Sequence, residues 1–106
     1  MTATPPQGND ASRVEVIVRG RVQGVGYRMF AARVAAGHGL TGWIANEPDG
    51  AVRCVAEGPR EELEVFALEL AAGPPGAVVD RVAVTWSESL DSFDRFAIRS
   101  GWHGGD

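Results

Sequence analysis

Hydrophobic and polar residues alternate along several short stretches of the chain. Val14, Val16 and Val18 fall on one face of a stretch that ends at Arg19, and this period of two is typical of a strand with one buried face. Stretches rich in β-branched and aromatic residues predict four further strands, over Trp43–Glu47, Val52–Glu57, Val78–Trp86 and Phe96–Arg99.

Two other stretches have apolar residues at helical spacing. The first runs from Tyr27 to Ala36 and is followed by glycines, which commonly end helices. The second begins after Gly58-Pro59 and has acidic residues in its first turns, which suits the helix dipole. Its predicted buried stripe consists of Leu63, Phe66, Ala67 and Leu70.

The order of these elements is β-α-β-β-α-β, with one additional short strand. This order predicts an α+β fold, a ferredoxin-like βαββαβ sandwich in which two helices cover one face of an antiparallel sheet. A right-handed crossover makes the first two strands parallel, with another strand between them. Their carboxyl ends then lie at the same edge, so we expect the loop after strand one and Asn46 to converge on one crevice.

Length and composition limit the possible classes of protein. The chain has 106 residues, which fits one domain over residues 13–100, with a flexible N-terminal tail over 1–12 and a C-terminal tail over 101–106. No apolar run reaches the roughly 18 residues that span a bilayer, and no secretory signal is evident. A single cysteine suggests a reducing compartment, and we expect a cytoplasmic protein. The net charge of −4 argues against a nucleic-acid-binding protein.

The glycine-rich stretch between the first strand and the first helix carries the candidate chemistry. Its glycines allow successive backbone N–H groups to face one concavity, and the helix N-terminus behind it adds partial positive charge. Arg28, in the first helical turn, can add a guanidinium that matches two phosphate or carboxylate oxygens. These residues alone leave two interpretations open, namely an anion site and a plain strand-to-helix turn.

Two longer motifs make the sequence similar to a known family. The loop, Gly20-Arg21-Val22-Gln23-Gly24-Val25-Gly26-Tyr27-Arg28, resembles one signature of the acylphosphatases. The stretch Gly39-Leu40-Thr41-Gly42-Trp43-Ile44-Ala45-Asn46, followed by Asp49-Gly50-Ala51-Val52, resembles the other signature of that family. The resemblance extends over about residues 13–99, nearly the whole predicted domain.

The resemblance implies a function and a set of site residues. That family has the ferredoxin-like fold and hydrolyses the carboxyl–phosphate bond of acyl phosphates without a metal or a cofactor. Arg28 matches its phosphate-binding arginine and Asn46 its water-positioning asparagine, so these two are the expected catalytic residues. The phosphate cradle matches Gln23, Gly24, Val25, Gly26, Tyr27 and Arg28. At Tyr27 the family more often has phenylalanine. The expected partner is a small acyl phosphate, and we expect a monomer with no nucleic-acid or membrane partner.

A non-catalytic anion- or RNA-binding module with the same fold is the main alternative. RNA-binding sheets of this kind present aromatic side chains on their central strands. The two predicted central strands, Val14–Val18 and Val52–Ala56, contain none. A third possibility is an anion-binding accessory domain of a larger carbamoyl-transfer assembly. Salt-dependent binding of single-stranded RNA would support the binding module, and hydrolysis of benzoyl phosphate distinguishes the enzyme from the accessory domain.

Overall fold

The computed structural model describes residues 11–100 and arranges them as one sheet with two helices. The elements are β1 (Ala11–Arg21), α1 (Tyr27–Gly37), β2 (Thr41–Asn46), β3 (Val52–Pro59), α2 (Arg60–Ala72), β4 (Val78–Glu88) and β5 (Phe96–Arg99). β1 begins two residues before the predicted domain boundary, because Ala11 and Ser12 still pair with Pro59 and Gly58 of β3. The rest of the two predicted tails lies outside the described residues.

The sheet has the strand order β4-β1-β3-β2-β5. β1 and β2 both pair antiparallel with β3, which lies between them, so the predicted parallel orientation of β1 and β2 is confirmed. β5 pairs parallel with β2, however, and the sheet is therefore mixed rather than wholly antiparallel. The reason is that β4 ends beside the start of β1, where Glu88 lies opposite Ser12, while β5 begins beside Gly42 at the start of β2.

Both helices cover one face of the sheet and enclose the core. Alternate residues of β1 and β3 face the helices, and each helix contributes a stripe of apolar side chains. Full burial of one such side chain contributes about 1.5–3 kcal/mol. The fully buried core includes Val14, Val16, Val18, Tyr27, Ala31, Ala35, Ile44, Val52, Leu63, Phe66 and Leu70. Over residues 11–100, neither helix is long and apolar enough to cross a membrane.

A buried carboxylate holds the segment that connects β4 to β5. The Glu57 carboxylate accepts hydrogen bonds from Arg13 Nε at 2.8 Å, from Leu90 N–H at 2.9 Å and from Ser92 N–H at 3.2 Å. Burial alone would raise the pKa of this carboxyl, but these bonds and one from the Ser89 side chain outweigh burial and lower the pKa of Glu57 below its ordinary value. These bonds fix the β4–β5 connection to β3, and β5 then pairs with β2.

Candidate active site

A cavity of about 320 Å³ opens at the edge of the sheet where β1, β2 and β5 end. A water molecule occupies about 30 Å³ in the liquid. The cavity therefore has room for a phosphoryl group and for further atoms of a substrate. The loop after β1, the first turn of α1, the end of β2 and β5 all contribute to its wall. The lining residues are Val22, Gly24, Gly26, Tyr27, Arg28, Met29, Asn46 and Ile98.

The loop reaches the cavity through two glycines in the left-handed region. Gly24 has φ 75° and Gly26 has φ 78°, values that residues with a side chain rarely adopt. Gly26 is also the N-cap of α1, and its carbonyl accepts the first helical hydrogen bond, from Phe30 N–H. The N–H groups of the first helical turn have no partners within a helix. This turn therefore brings backbone donors and the positive end of the helix dipole to the cavity.

Arg28 places a full positive charge beside these donors. Its Nη1 donates a hydrogen bond of 2.8 Å to the carbonyl oxygen of Arg99, at the end of β5. The two residues are 71 positions apart in the chain, so the position of the guanidinium depends on the pairing of β5 beside β2. Among the lining residues given above, Arg28 alone is charged. The wall of the cavity is thus suited to an anion.

Asn46 contributes a neutral carboxamide to the same cavity. It is the last residue of β2 and is 4% exposed. The crossover from β1 to β2 brings this strand end to the same edge as the loop, as the order of elements predicts. The cavity thus joins a guanidinium with a carboxamide that neither gains nor loses a proton near neutral pH.

Two residues of the predicted cradle are not among those lining the cavity. Val25 is partly buried and packs against the core. The Gln23 side chain extends from the loop to the hairpin between β2 and β3, where its Nε2 donates to the carbonyl oxygens of Glu47 and Ala51 at 2.9 Å each. No sequence pattern indicates these two bonds, because they join segments that are distant in the chain.

Tyr27 serves the structure through its hydroxyl. Its ring is buried between the two helices and the sheet, and its hydroxyl donates to the carbonyl oxygen of Leu70 in α2. Burial raises the pKa of Tyr27, and the nearby Cys54 adds to this effect. The phenol therefore stays protonated near neutral pH. The resemblance to the family implies an aromatic ring at this position, whereas the hydroxyl contact depends on the tertiary fold.

Comparison with known proteins assigns the family. The family model described as Acylphosphatase matches residues 14–98, nearly all of the described chain. The chain belongs to the acylphosphatase family. The acylphosphatase of Salinibacter ruber is 46% identical over 87 residues, which cover 82% of this chain and 92% of the relative. The acylphosphatase of Thermus thermophilus is 53% identical over 76 residues, which cover 72% and 86%.

A solved acylphosphatase has the same fold. The crystal structure of acylphosphatase from Bacillus subtilis matches with a TM-score of 0.80 and 41% identity, covering 83% of this chain and 98% of the other. Hydrolysis of acyl phosphates is the activity of this family, and this acylphosphatase is accordingly an enzyme with a ferredoxin-like fold. The predicted family and fold are therefore confirmed.

Proposed function

We propose that the cavity between the β1–α1 loop and β2 is the place where this acylphosphatase hydrolyses acyl phosphates, with Arg28 and Asn46 as catalytic residues. The observation that carries the proposal is that both side chains line one cavity together with the first turn of α1. An acyl phosphate brings a dianionic phosphoryl group and a carboxylate leaving group. The cavity offers positive charge and backbone hydrogen-bond donors to the phosphoryl group.

The phosphoryl group is held by the loop and by Arg28. Backbone N–H groups of the cradle, residues 23–28, bind the phosphoryl oxygens, and the guanidinium of Arg28 neutralises their charge. The hydrogen bond from Arg28 to the Arg99 carbonyl fixes the guanidinium before substrate binds. Preorganised donors of this kind stabilise the charge that develops in the transition state, and one donor is worth about 10²–10³-fold in rate.

Asn46 positions the attacking water. Its buried carboxamide accepts a hydrogen bond from the water or donates one to it, and so holds the oxygen in line with the scissile bond. The water oxygen attacks phosphorus while the bond from phosphorus to the acyl oxygen breaks. The carboxylate leaves with the bonding electrons, and a phosphoryl oxygen takes the proton of the water. The products are a carboxylate and inorganic phosphate, and no metal or cofactor takes part in this scheme.

Hydrolysis of benzoyl phosphate by the purified chain in excess chelator tests the proposal. We expect Arg28→Ala and Asn46→Ala each to lose at least about 10²-fold in kcat/KM, with unchanged circular dichroism. Arg33→Ala is the matched control, because Arg33 is an exposed arginine of the same helix outside the lining of the cavity. Full activity in both site variants would refute the assignment.

We further propose that the enzyme acts as a cytoplasmic monomer on small acyl phosphates and does not bind nucleic acid. The net charge of −4 and the single, buried cysteine support this. On the sheet face opposite the helices, the Arg99 guanidinium lies over the Trp43 ring, 4.6 Å from the ring centroid. This face of the ring is therefore already covered, and a nucleic-acid base would have to displace the guanidinium to stack on it. Light scattering gives the mass in solution, and titration with single-stranded RNA at low salt should produce no binding. A dimer mass or salt-dependent RNA binding would contradict this proposal.

A further inference from the structure

We infer that Gln23 is a positioning residue that fixes the phosphate loop relative to Asn46. The inference rests on the proposed function, because it gives the Gln23 side chain a role in aligning the water held by Asn46. Gln23 lies in the loop after β1, and its side chain reaches the hairpin that directly follows Asn46. The contact thus joins the two halves of the proposed site.

The amide of Gln23 uses both of its hydrogens in this contact. Nε2 donates to the carbonyl oxygens of Glu47 and Ala51, each at 2.9 Å. Glu47 is the neighbour of Asn46 in sequence, and Ala51 precedes Val52, the residue that lies opposite Asn46 in the β2–β3 pairing. The two acceptors therefore lie at the base of the hairpin, one directly after β2 and one directly before β3, close to Asn46.

The hairpin does not need Gln23 to satisfy its own backbone. Glu47 N–H donates to the Ala51 carbonyl at 2.8 Å, and Gly50 N–H donates to the Glu47 carbonyl at 3.1 Å. The Asp49 side chain accepts a further bond from Ala51 N–H. Both carbonyls that Gln23 contacts thus keep a donor when the amide is removed. The bonds from Gln23 therefore hold the hairpin to the loop, and they are not required to form the hairpin.

A second link to the same hairpin, from β1, supplies a control. Arg19 Nη1 lies 2.8 Å from Asp49 Oδ2, and both side chains are exposed. This ion pair joins the end of β1 to the tip of the hairpin, whereas Gln23 joins the loop to its base. Exposed ion pairs contribute little to stability. Loss of the Arg19–Asp49 ion pair should therefore leave the position of the loop relative to Asn46 unchanged.

Removal of the Gln23 amide should slow the chemical step more than it weakens phosphate binding. Gln23→Met keeps the length of the side chain but has no donor. A displacement of about 1 Å between reacting groups can cost about 10²-fold in rate, and we expect a loss of about 10-fold in kcat. Inorganic phosphate contacts the backbone cradle and Arg28, so its inhibition constant should change less than about 3-fold.

A double-mutant cycle tests this role in the full chain. If Gln23 acts through Asn46, Gln23→Met lowers kcat for benzoyl phosphate in the native background and has little further effect in Asn46→Ala. Arg19→Ala should leave kcat near the native value. An equal fold-loss in both backgrounds, or no loss in either, would overturn the inference.

If the residual rate of Asn46→Ala is too low to compare, inhibition of Gln23→Met by inorganic phosphate tests the positioning role instead. Equal losses in kcat and in phosphate inhibition for Gln23→Met would assign the side chain to phosphate binding and overturn the positioning role. Failure of the proposed function has a different signature, namely full activity in Asn46→Ala itself or no hydrolysis by the native chain.

Discussion

The hydroxyl of Tyr27 donates a 2.5 Å hydrogen bond to the carbonyl oxygen of Leu70, near the end of α2. Within an α-helix this carbonyl would accept a bond from the N–H group four residues later. That residue is Pro74, which has no N–H. Tyr27 therefore supplies the donor that the chain itself lacks, and it ties the first turn of α1, at the proposed site, to the end of α2.

Tyr27→Phe should destabilise the protein and leave catalysis nearly intact. The ring still fills the core, but the Leu70 carbonyl loses its donor in a buried place, which costs about 1–3 kcal/mol. Urea unfolding should show a lower midpoint with an unchanged slope, while kcat for benzoyl phosphate stays within about 3-fold of the native value. An unchanged midpoint would mean that the hydroxyl does not anchor α2.

Glu57 should make stability depend on pH in the acidic range. Burial opposes ionisation of this carboxyl, but four hydrogen bonds together lower its pKa in the folded state. Their donors are Leu90 N–H, the Arg13 guanidinium, Ser92 N–H and the Ser89 side chain. A lowered folded pKa contributes stability above the unfolded value, near pH 4.5, and this contribution is lost as pH falls through the folded value.

Glu57→Gln tests this relation, since glutamine stays neutral at every pH. The native protein should be the more stable of the two at about pH 7, and its advantage should shrink at about pH 3.5. Glu69→Gln, at an exposed position of α2, is the control and should change stability little at neutral pH. An advantage of equal size at both pH values would show that Glu57 does not act through its charge.

Met29 and Ile98 should favour substrates with an apolar acyl group. Both residues line the cavity with Arg28 and remain partly exposed, at 56% and 38%. An acyl group that covers them buries apolar surface, which is worth about 25 cal/mol per Å². Benzoyl phosphate should therefore have a higher kcat/KM than acetyl phosphate.

The variants Met29→Gln and Ile98→Thr should reduce that preference by about 3-fold or more each. Leu68→Gln is the control, because Leu68 is an exposed apolar residue of α2 that does not line this cavity. A ratio of the two substrates that is the same in the native protein and in all three variants would contradict the prediction.

The sequence predicts the meeting of Arg28 and Asn46 because both follow from local patterns and one topological rule. Alternation and helical spacing define β1, α1 and β2, and the right-handed crossover places the ends of both strands at one edge. The parallel pairing of β5 could not be predicted in this way. It depends on where β4 ends, which the contact between Glu57 and the β4–β5 connection helps to fix.

Side-chain contacts between distant segments could not be predicted from the sequence either. Gln23 contacts Glu47 and Ala51, and Tyr27 contacts Leu70, only after the sheet and both helices have formed. Neither residue type indicates such a partner. A glutamine in a glycine-rich loop is as compatible with an exposed side chain, and a tyrosine next to a helix start requires only that its ring be buried.

The separate roles of Arg28 and Asn46 are tested most directly by measuring kcat for benzoyl phosphate and inhibition by inorganic phosphate in the same variants. Asn46→Ala should lose turnover and still be inhibited by phosphate at close to the native concentration, because the loop and Arg28 remain. Arg28→Ala should lose both. Native turnover in Asn46→Ala, or a loss of phosphate inhibition as large as in Arg28→Ala, would contradict the division between a carboxamide that orients water and a guanidinium that binds the phosphoryl group.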